Sequence, residues 1–210
     1  MHKIHGVIFD MDGVLIDARE WHYRALNQAL GLFGLNIDRA AHEGEFDGLP
    51  TREKLCRLSE RYGLPDSLHP FINELKQMYT LQEIWRHCWP DFRHQYALAQ
   101  LRHHGYRVAV ASNSIRASIE TMLGRAQLLP FLDFYLSNED VTKGKPDPEI
   151  YHTAIRMLEL TPQACVVVED NPHGIAAARA SGAHVLTVNH PGEVTWERLH
   201  QFIQHCEQSS

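Results

Sequence analysis

Cysteine is scarce in this chain of 210 residues, and its few copies stand far apart. The four cysteines are Cys56, Cys88, Cys165 and Cys206, and no two of them form a CxxC pair. Because disulfide frameworks belong mainly to short secreted domains, this spacing argues against a disulfide-stapled fold. The first apolar run follows Met1 without a leader segment, so we expect a cytoplasmic location.

Histidine spacings that are typical of metal sites are also missing. Fifteen histidines are scattered along the chain, but neither HExxH nor HxxxH occurs. A zinc site built from two histidines on one helix face is therefore not predicted. We expect most of these histidines to be surface residues.

The chain has neither a surplus of positive charge nor a long apolar run. Its 20 lysines and arginines face 26 aspartates and glutamates, which gives a formal net charge of -6. A nucleic-acid binder needs basic side chains to neutralise phosphates, so we predict no nucleic-acid partner. No apolar stretch approaches the roughly 20 residues of a membrane span, so we predict no membrane partner. Hydrophobic residues make up 44% of the chain, which is enough for a folded core.

The segment Gly6–Asp17 carries the first indication of chemistry. Its apolar run Val7-Ile8-Phe9 predicts a buried strand, which stops at Asp10 and Asp12. In an open α/β sheet, ligands bind at the carboxyl ends of the strands. Two aspartates this close repel each other unless a cation lies between them or one stays protonated, and Mg²⁺ prefers such oxygen ligands. Since Asp and Gly are also common turn residues, a solvated turn remains the alternative for this motif alone.

Strands and helices alternate along most of the remaining chain. Four further apolar runs predict strands, and they begin at Arg107, Phe134, Cys165 and His184. Helical periods separate these runs. Such alternation is typical of a parallel sheet with helices on both faces, so we predict an α/β fold with a Rossmann-like sheet.

Residues 18–89 interrupt this alternation. They are rich in helical periods and poor in β-branched runs, with helices predicted around Trp21–Phe33, from Thr51 to Tyr62 and around Ile72–Ile84. We therefore divide the chain into an α/β core, residues 1–17 and 90–210, and a helical insertion, residues 18–89.

Polar side chains from four parts of the chain collect at the predicted carboxyl edge of the sheet. Right-handed crossovers place all strand ends at that edge. Each polar residue also has an ordinary structural interpretation, as a helix cap, a solvated lysine or part of a turn. We predict separately that Ser114 is the N-cap of the helix that follows. Because their strand context agrees, the group predicts a catalytic site. Its members are Asp10, Asp12, Ser112, Asn113, Lys145, Glu169 and Asp170.

These motifs resemble, in the same order, those of the haloacid dehalogenase-like hydrolase superfamily, over essentially the whole chain. Within that superfamily the chain is most similar to the β-phosphoglucomutases and the phosphatases related to them. Residues 18–89 are similar to the helical cap domain of that branch. The matching segments are Asp10-x-Asp12-Gly-Val, Ser112-Asn113, Lys145-Pro-Asp-Pro and Glu169-Asp170-Asn-Pro-x-Gly.

The resemblance implies a role for each catalytic candidate. Asp10 is the expected nucleophile, which attacks phosphorus to form an aspartyl-phosphate. Asp12 is the expected general acid for the leaving alcohol and then the base for water. Ser112 is expected to hydrogen-bond a phosphoryl oxygen. Lys145, rather than Lys143, is expected to pair with Asp10 because the lysine of the family directly precedes a proline.

The resemblance also implies a Mg²⁺ cofactor. Asp10, Asp170 and the backbone carbonyl of Asp12 are the expected ligands. Glu169 is expected to support the metal or to orient its water. The cation offsets the charge of an incoming phosphate, which otherwise faces four carboxylates.

Substrate choice is expected to come mostly from the helical insertion, because the core motifs read only phosphate and metal. We predict substrate contacts for Asn113 in the core and for His22, Arg52 and Lys76 in the insertion. His22 stands in Asp17-Ala-Arg-Glu-Trp-His22 and Arg52 in Gly48-Leu-Pro-Thr-Arg52-Glu, both similar to mutase segments. In the mutases this arginine binds the phosphate that is not transferred, a task that suits its planar fork. A solvated arginine at a helix start is the alternative.

We therefore predict a Mg²⁺-dependent phosphatase of small phosphorylated metabolites, either sugar or polyol phosphates, that is a monomer or weak dimer. The alternative is a phosphomutase of the β-phosphoglucomutase type. His22 and Arg52 favour the mutase, whereas Ala18 does not, because the mutases carry a threonine there. A non-catalytic phosphate-binding module is a third interpretation, and the presence of Asp12 and Lys145 argues against it. The second aspartate also argues against a dehalogenase.

Overall fold

A five-stranded parallel sheet forms the centre of the computed structural model, which describes residues 3–46 and 49–208. The strand order is β3-β2-β1-β4-β5. Helices alternate with these strands along the chain, which confirms the predicted Rossmann-like α/β fold. The strands are β1 (Gly6–Phe9), β2 (Arg107–Ala111), β3 (Phe134–Leu136), β4 (Cys165–Glu169) and β5 (His184–Thr187).

The first apolar run becomes the central strand because both of its faces are covered. All four residues of β1 are buried. In the ladder, Val7 lies between Val108 of β2 and Val166 of β4. A strand that is buried on both faces reads as a continuous apolar run. This position places Asp10, the residue after β1, in the middle of the carboxyl edge.

Helices of one to five turns connect and flank the strands. Their ends follow local signals: Gly63, for example, ends α3 in the left-handed conformation with φ of 69°. The helices are α1 (Arg19–Gly31), α2 (Arg39–Ala41), α3 (Thr51–Tyr62), α4 (His69–His87), α5 (Phe92–His103), α6 (Arg116–Arg125), α7 (Glu149–Met157), α8 (Pro172–Ala180) and α9 (Trp196–Gln208). Short 3₁₀ segments lie at Asp66–Leu68, Leu129–Phe131, Asn138–Asp140, Pro162–Ala164 and Pro191–Glu193, with a π-helical turn at His42–Phe46.

The chain divides into two compact units. One unit contains the sheet and joins the N-terminal residues through Asp17 to the chain from Trp89 onward. Its core packs side chains of α7 and α8, such as Tyr151 and Ala177, with the strands. The other unit, Ala18–Cys88, contains α1 to α4 and has a core of its own around Leu26, Phe46 and Ile72.

A helix that crosses a membrane needs about 20 mostly apolar residues. Within residues 3–46 and 49–208, every helix is too short or too polar to cross a membrane.

The four cysteines predict a simple pattern of thiol reactivity. Cys56 is exposed, whereas Cys88, Cys165 and Cys206 are buried, and none of the four forms a disulfide bond. Burial raises the pKa of Cys165 to about 12, so its reactive thiolate form is rare at neutral pH. Iodoacetamide should therefore modify one thiol of the native protein, at Cys56, and all four after unfolding in guanidinium chloride. Mass spectrometry reads this pattern; a Cys56→Ser control should resist native modification, and rapid native labelling of Cys165 would contradict the prediction.

Candidate active site

Main-chain hydrogen bonds fix the backbone at the ends of the central strands. The Asp10 N–H donates to the Val168 carbonyl at 3.0 Å, and the Ser112 N–H donates to the Leu136 carbonyl at 3.0 Å. These bonds continue the sheet one residue beyond β1 and β2. The side chains of Asp10 and Ser112 therefore leave from ordered backbone at the carboxyl edge.

Lys145 joins the ends of three strands. Its Nζ donates to Asp10 Oδ1 at 2.6 Å, to Glu169 Oε1 at 2.7 Å and to the Ala111 carbonyl at 2.8 Å. An ammonium group has three donors, and these contacts use all of them. The ammonium is buried, and removing a partner from such an ion pair typically costs about 3–5 kcal/mol. Lys143, the competing lysine, is exposed.

Asn113 holds the backbone of Lys145. Its Oδ1 accepts a hydrogen bond from the Lys145 N–H at 3.0 Å, and its Nδ2 donates to the Lys145 carbonyl at 3.3 Å. A Cβ at Gly144 would lie 2.9 Å from Asn113 Oδ1, so the absence of a side chain at 144 permits this approach. The amide of Asn113, predicted to contact substrate, thus anchors the loop that carries the lysine.

Glu169 is held from several directions. Its Oε1 accepts hydrogen bonds from Lys145 and from the Tyr151 hydroxyl, and its Oε2 accepts one from the Asp170 N–H at 3.0 Å. Tyr151 is fully buried, and the Lys145 ammonium lies 4.8 Å from the centre of its ring. Burial and the charge of Glu169 raise the pKa of Tyr151 well above its usual range, so the hydroxyl remains a donor. Tyr151 was not predicted, because its place in the apolar stripe of α7 makes it look like an ordinary core residue.

Burial and neighbouring charges together set the electrostatics of this cluster. Burial raises the pKa of Asp10 well above its usual range. The Lys145 ammonium opposes that shift, whereas the like charges of Glu169, Asp12 and Asp170 increase it. Burial lowers the pKa of Lys145, but Asp10 and Glu169 more than offset this effect, so its pKa is raised and it stays charged. One lysine cannot neutralise four acids, which leaves the site suited to a further cation.

Three carboxylates of the cluster have the spacing of a cation site. One oxygen each from Asp10, Glu169 and Asp170 lies within 4.8 Å of the others. Hard oxygen donors of this kind are the ligands that Mg²⁺ prefers, so the donor set fits the expected cofactor. Glu169 has a second task in this cluster, because it also balances the charge of Lys145.

Asp12 lies beside the segment that follows β2. Its Oδ2 accepts hydrogen bonds from Ser114 Oγ at 2.8 Å and from Ser112 Oγ at 3.4 Å. The prediction that Ser114 caps α6 is therefore wrong. The N-cap is Ile115, and it makes no side-chain capping bond, because the Ser114 hydroxyl is directed to a carboxylate far away in the sequence.

The helical unit brings together two of its three predicted substrate residues. The ring Nδ1 of His22 lies 3.3 Å from Lys76 Nζ, and Lys76 is buried. Arg52 is exposed in the first turn of α3. Gly48, which belongs to the segment that singled out Arg52, lies outside the described residues. Lys54, two residues beyond Arg52, is buried, a feature that its sequence context did not indicate.

The fold and the site together are typical of one class of hydrolases. This class has a Rossmann-like sheet, paired aspartates after the first strand and a buried lysine between carboxylates. The family model for haloacid dehalogenase-like hydrolases matches residues 7–188. The chain belongs to this family.

Relatives with named activities cover most of the chain. It is 31% identical over 182 residues to a phosphorylated carbohydrates phosphatase of Thermotoga maritima, which covers 85% of this chain and 82% of the relative. It is 25% identical over 216 residues to the β-phosphoglucomutase of Bacillus subtilis, covering 93% and 94% of the two chains. The fold is similar to the crystal structure of β-phosphoglucomutase from Clostridium difficile, with a TM-score of 0.84, 22% identity and coverage of 96% and 98%. The protein is therefore an enzyme of the hydrolase family, with relatives that are named as phosphatases.

Gly174 offers a test of the ion pair beneath the site. It lies in the first turn of α8, where a Cβ would overlap the Glu169 carboxylate. Gly174→Ala should displace Glu169 from Lys145 and lower the free energy of unfolding by about 3 kcal/mol, as measured by urea denaturation.

Gly124 provides the matched control for this substitution. It is also helical, but a Cβ there would lie 3.7 Å from Leu129 Cδ1, an ordinary contact. Gly124→Ala should be neutral or stabilise by about 0.5–1 kcal/mol. Equal stability of Gly174→Ala and the wild type would show that Glu169 can move without loss.

Proposed function

We propose that this protein is a Mg²⁺-dependent phosphatase that hydrolyses small phosphorylated metabolites, namely sugar or polyol phosphates. The observation that carries the proposal is the buried contact between Lys145 Nζ and Asp10 Oδ1 at 2.6 Å. A carboxylate that lies at the end of a central strand and beside an ammonium suits the proposed role of nucleophile. The same ammonium then offsets the charge that collects on the phosphoryl oxygens.

In the first half of the proposed reaction, Asp10 displaces the alcohol. A carboxylate oxygen of Asp10 forms a bond to phosphorus while the bond from phosphorus to the ester oxygen breaks. Asp12 gives its proton to that oxygen, so the alcohol leaves neutral. The Ser112 hydroxyl hydrogen-bonds a phosphoryl oxygen.

In the second half, water releases the phosphate. Asp12, now ionised, takes a proton from water, and the water oxygen attacks phosphorus. The bond from phosphorus to Asp10 breaks, which yields inorganic phosphate and restores the Asp10 carboxylate. The proton that Asp12 gained prepares it for the next turnover.

The proposed Mg²⁺ site consists of Asp10, Asp170 and the backbone carbonyl of Asp12, with Glu169 in support. When bound, the cation supplies positive charge that lets a phosphate dianion approach several carboxylates. The oxygen spacing of Asp10, Glu169 and Asp170 supports this assignment.

We assign substrate selection mainly to the helical unit, residues 18–88, as a cap. His22, Lys76 and Arg52 give it imidazole, ammonium and guanidinium groups, which suit an anionic, hydroxyl-rich substrate. In the core, we propose that Asn113 contacts the substrate in addition to its hydrogen bonds with the backbone of Lys145. The name of the T. maritima relative, which refers to phosphorylated carbohydrates, supports this substrate class.

A phosphomutase is the second candidate function. The relative from B. subtilis is named β-phosphoglucomutase, and the exposed Arg52 provides a cation for a second phosphate. Ala18 favours the phosphatase instead, because the similar mutases carry a threonine at this place in the sequence.

A substrate panel tests the proposed reaction. With Mg²⁺, the wild type should release inorganic phosphate from at least one of glucose 6-phosphate, fructose 1-phosphate, glycerol 3-phosphate and β-glucose 1-phosphate. Asp10→Asn should lower kcat by more than ~10³-fold, because the amide is not a nucleophile. Asp66→Asn, which changes an aspartate whose side chain is 85% exposed at the start of a 3₁₀ segment, is the matched control and should keep wild-type activity.

Two results of this panel would overturn the proposal. Undiminished turnover by Asp10→Asn would exclude an aspartyl-phosphate. Conversion of β-glucose 1-phosphate to glucose 6-phosphate in the presence of glucose 1,6-bisphosphate, with almost no free phosphate, would establish the mutase instead.

Removal of divalent cations tests the proposed cofactor. Excess EDTA should abolish phosphate release, and added MgCl₂ should restore it. Asp170→Asn should raise the Mg²⁺ concentration for half-maximal activity by at least ~10-fold, since it weakens a ligand. MgCl₂ should also raise the melting temperature of the wild type more than that of the variant, because a bound ion stabilises the folded state. Full activity after chelation would rule out the metal.

A further inference from the structure

The segment after β2 carries a second hydroxyl that the proposed reaction leaves without a task. Ser114 Oγ lies 2.8 Å from Asp12 Oδ2, whereas Ser112 Oγ lies 3.4 Å from the same atom. Hydrogen bonds between a hydroxyl and an oxygen are about 2.5–3.0 Å long, so Ser114 makes the stronger of the two contacts. The Ser112 hydroxyl can therefore rotate to donate to a phosphoryl oxygen while the Ser114 hydroxyl still donates to Asp12.

Hydrogen bonds hold the backbone on both sides of the contact between Ser114 and Asp12. The Ser114 N–H donates to Ser112 Oγ at 3.1 Å, and the Ser114 carbonyl accepts from the Asn138 N–H at 3.1 Å. The loop of Asp12 is closed by bonds from the Gly13 N–H to the Ile16 carbonyl at 2.7 Å and from the Ile16 N–H to the Met11 carbonyl at 2.9 Å. With the main chain fixed on both sides, the hydrogen bond from Ser114 holds Oδ2 of Asp12 in one direction.

We infer that Ser114 is a positioning residue for Asp12: its hydroxyl directs the carboxyl group that hands a proton to the leaving oxygen. The inference rests on the proposed phosphatase function, in which Asp12 is the general acid. Ser114 acts only through Asp12 and contacts no reacting atom. Misplacing a catalytic group by about 1 Å can cost ~10²-fold in rate, so one hydroxyl suffices for a measurable effect.

The leaving group distinguishes this role from a purely structural one. An alkoxide is a strong base and needs a proton to leave, whereas p-nitrophenolate is a weak base and leaves without one. The value of kcat/KM depends on the steps from substrate binding to departure of the alcohol. Hydrolysis of the aspartyl-phosphate comes later and does not affect it. Loss of the proton donor therefore lowers kcat/KM for alkyl phosphates far more than for p-nitrophenyl phosphate.

The test compares Ser114→Ala with the wild type on two substrates: the most rapidly hydrolysed of the four panel compounds, and p-nitrophenyl phosphate. Ser114→Ala should lower kcat/KM for the panel compound by roughly 10- to 100-fold, and for p-nitrophenyl phosphate by at most about a tenth of that factor. Ser114→Thr keeps a hydroxyl and should lose less than Ser114→Ala. Thr121→Ala, which removes an exposed hydroxyl bond to the Ala117 carbonyl in α6, is the matched control and should change neither value.

Equal losses on the two substrates would overturn the inference, because Ser114 would then bind the phosphoryl group or support the fold. No loss on either substrate would overturn it as well. Melting temperatures of the variants separate a folding defect from a catalytic one. If the wild type hydrolyses none of the five phosphate esters, the proposed function fails and the role of Ser114 falls with it; if the wild type is active, only the role of Ser114 is judged.

Discussion

The Lys145 ammonium, placed between Asp10 and Glu169, is the contact on which the rest of the site depends. Without it, buried carboxylates from two adjacent strands would repel each other, and the pKa of Asp10 would rise further above its usual range. Two features of the chain support that ammonium. Asn113 holds the backbone of Lys145, and the absence of a side chain at Gly174 leaves room for the Glu169 carboxylate. The group that stabilises the strand ends is thus also the group that contacts Asp10, the proposed nucleophile.

The framework of the site was predictable from the sequence because burial leaves a direct trace there. Strands covered on both faces read as continuous apolar runs, and each run ends where polar residues begin. A parallel sheet then gathers those ends at one edge, so Asp10, Ser112 and Glu169 could be placed together without coordinates. Local signals also located the helices, as Gly63 does for the end of α3.

Residues whose role depends on a distant partner could not be predicted in this way. Ser114 precedes a helix and looks like a cap, but its hydroxyl bonds to Asp12, 102 positions away. Tyr151 has the spacing of a core residue, and only its depth beside Glu169 makes its hydroxyl significant. The contact between His22 and Lys76 likewise arises from the packing of α1 with α4. Local pattern indicates which apolar residues are buried, whereas tertiary contact decides which polar residues are buried and what their polar atoms contact.

The central place of β1 has a consequence for how the enzyme is made. This strand is synthesised first, yet its neighbours, β2 and β4, begin only at Arg107 and Cys165. On the ribosome, the helical unit that ends at Cys88 is complete while β1 still has no partner strand. Asp10 and Glu169, the two carboxylates that share Lys145, meet only after most of the chain has emerged. A chain that ends before β4 therefore lacks Glu169 and Asp170 and cannot assemble the charge cluster.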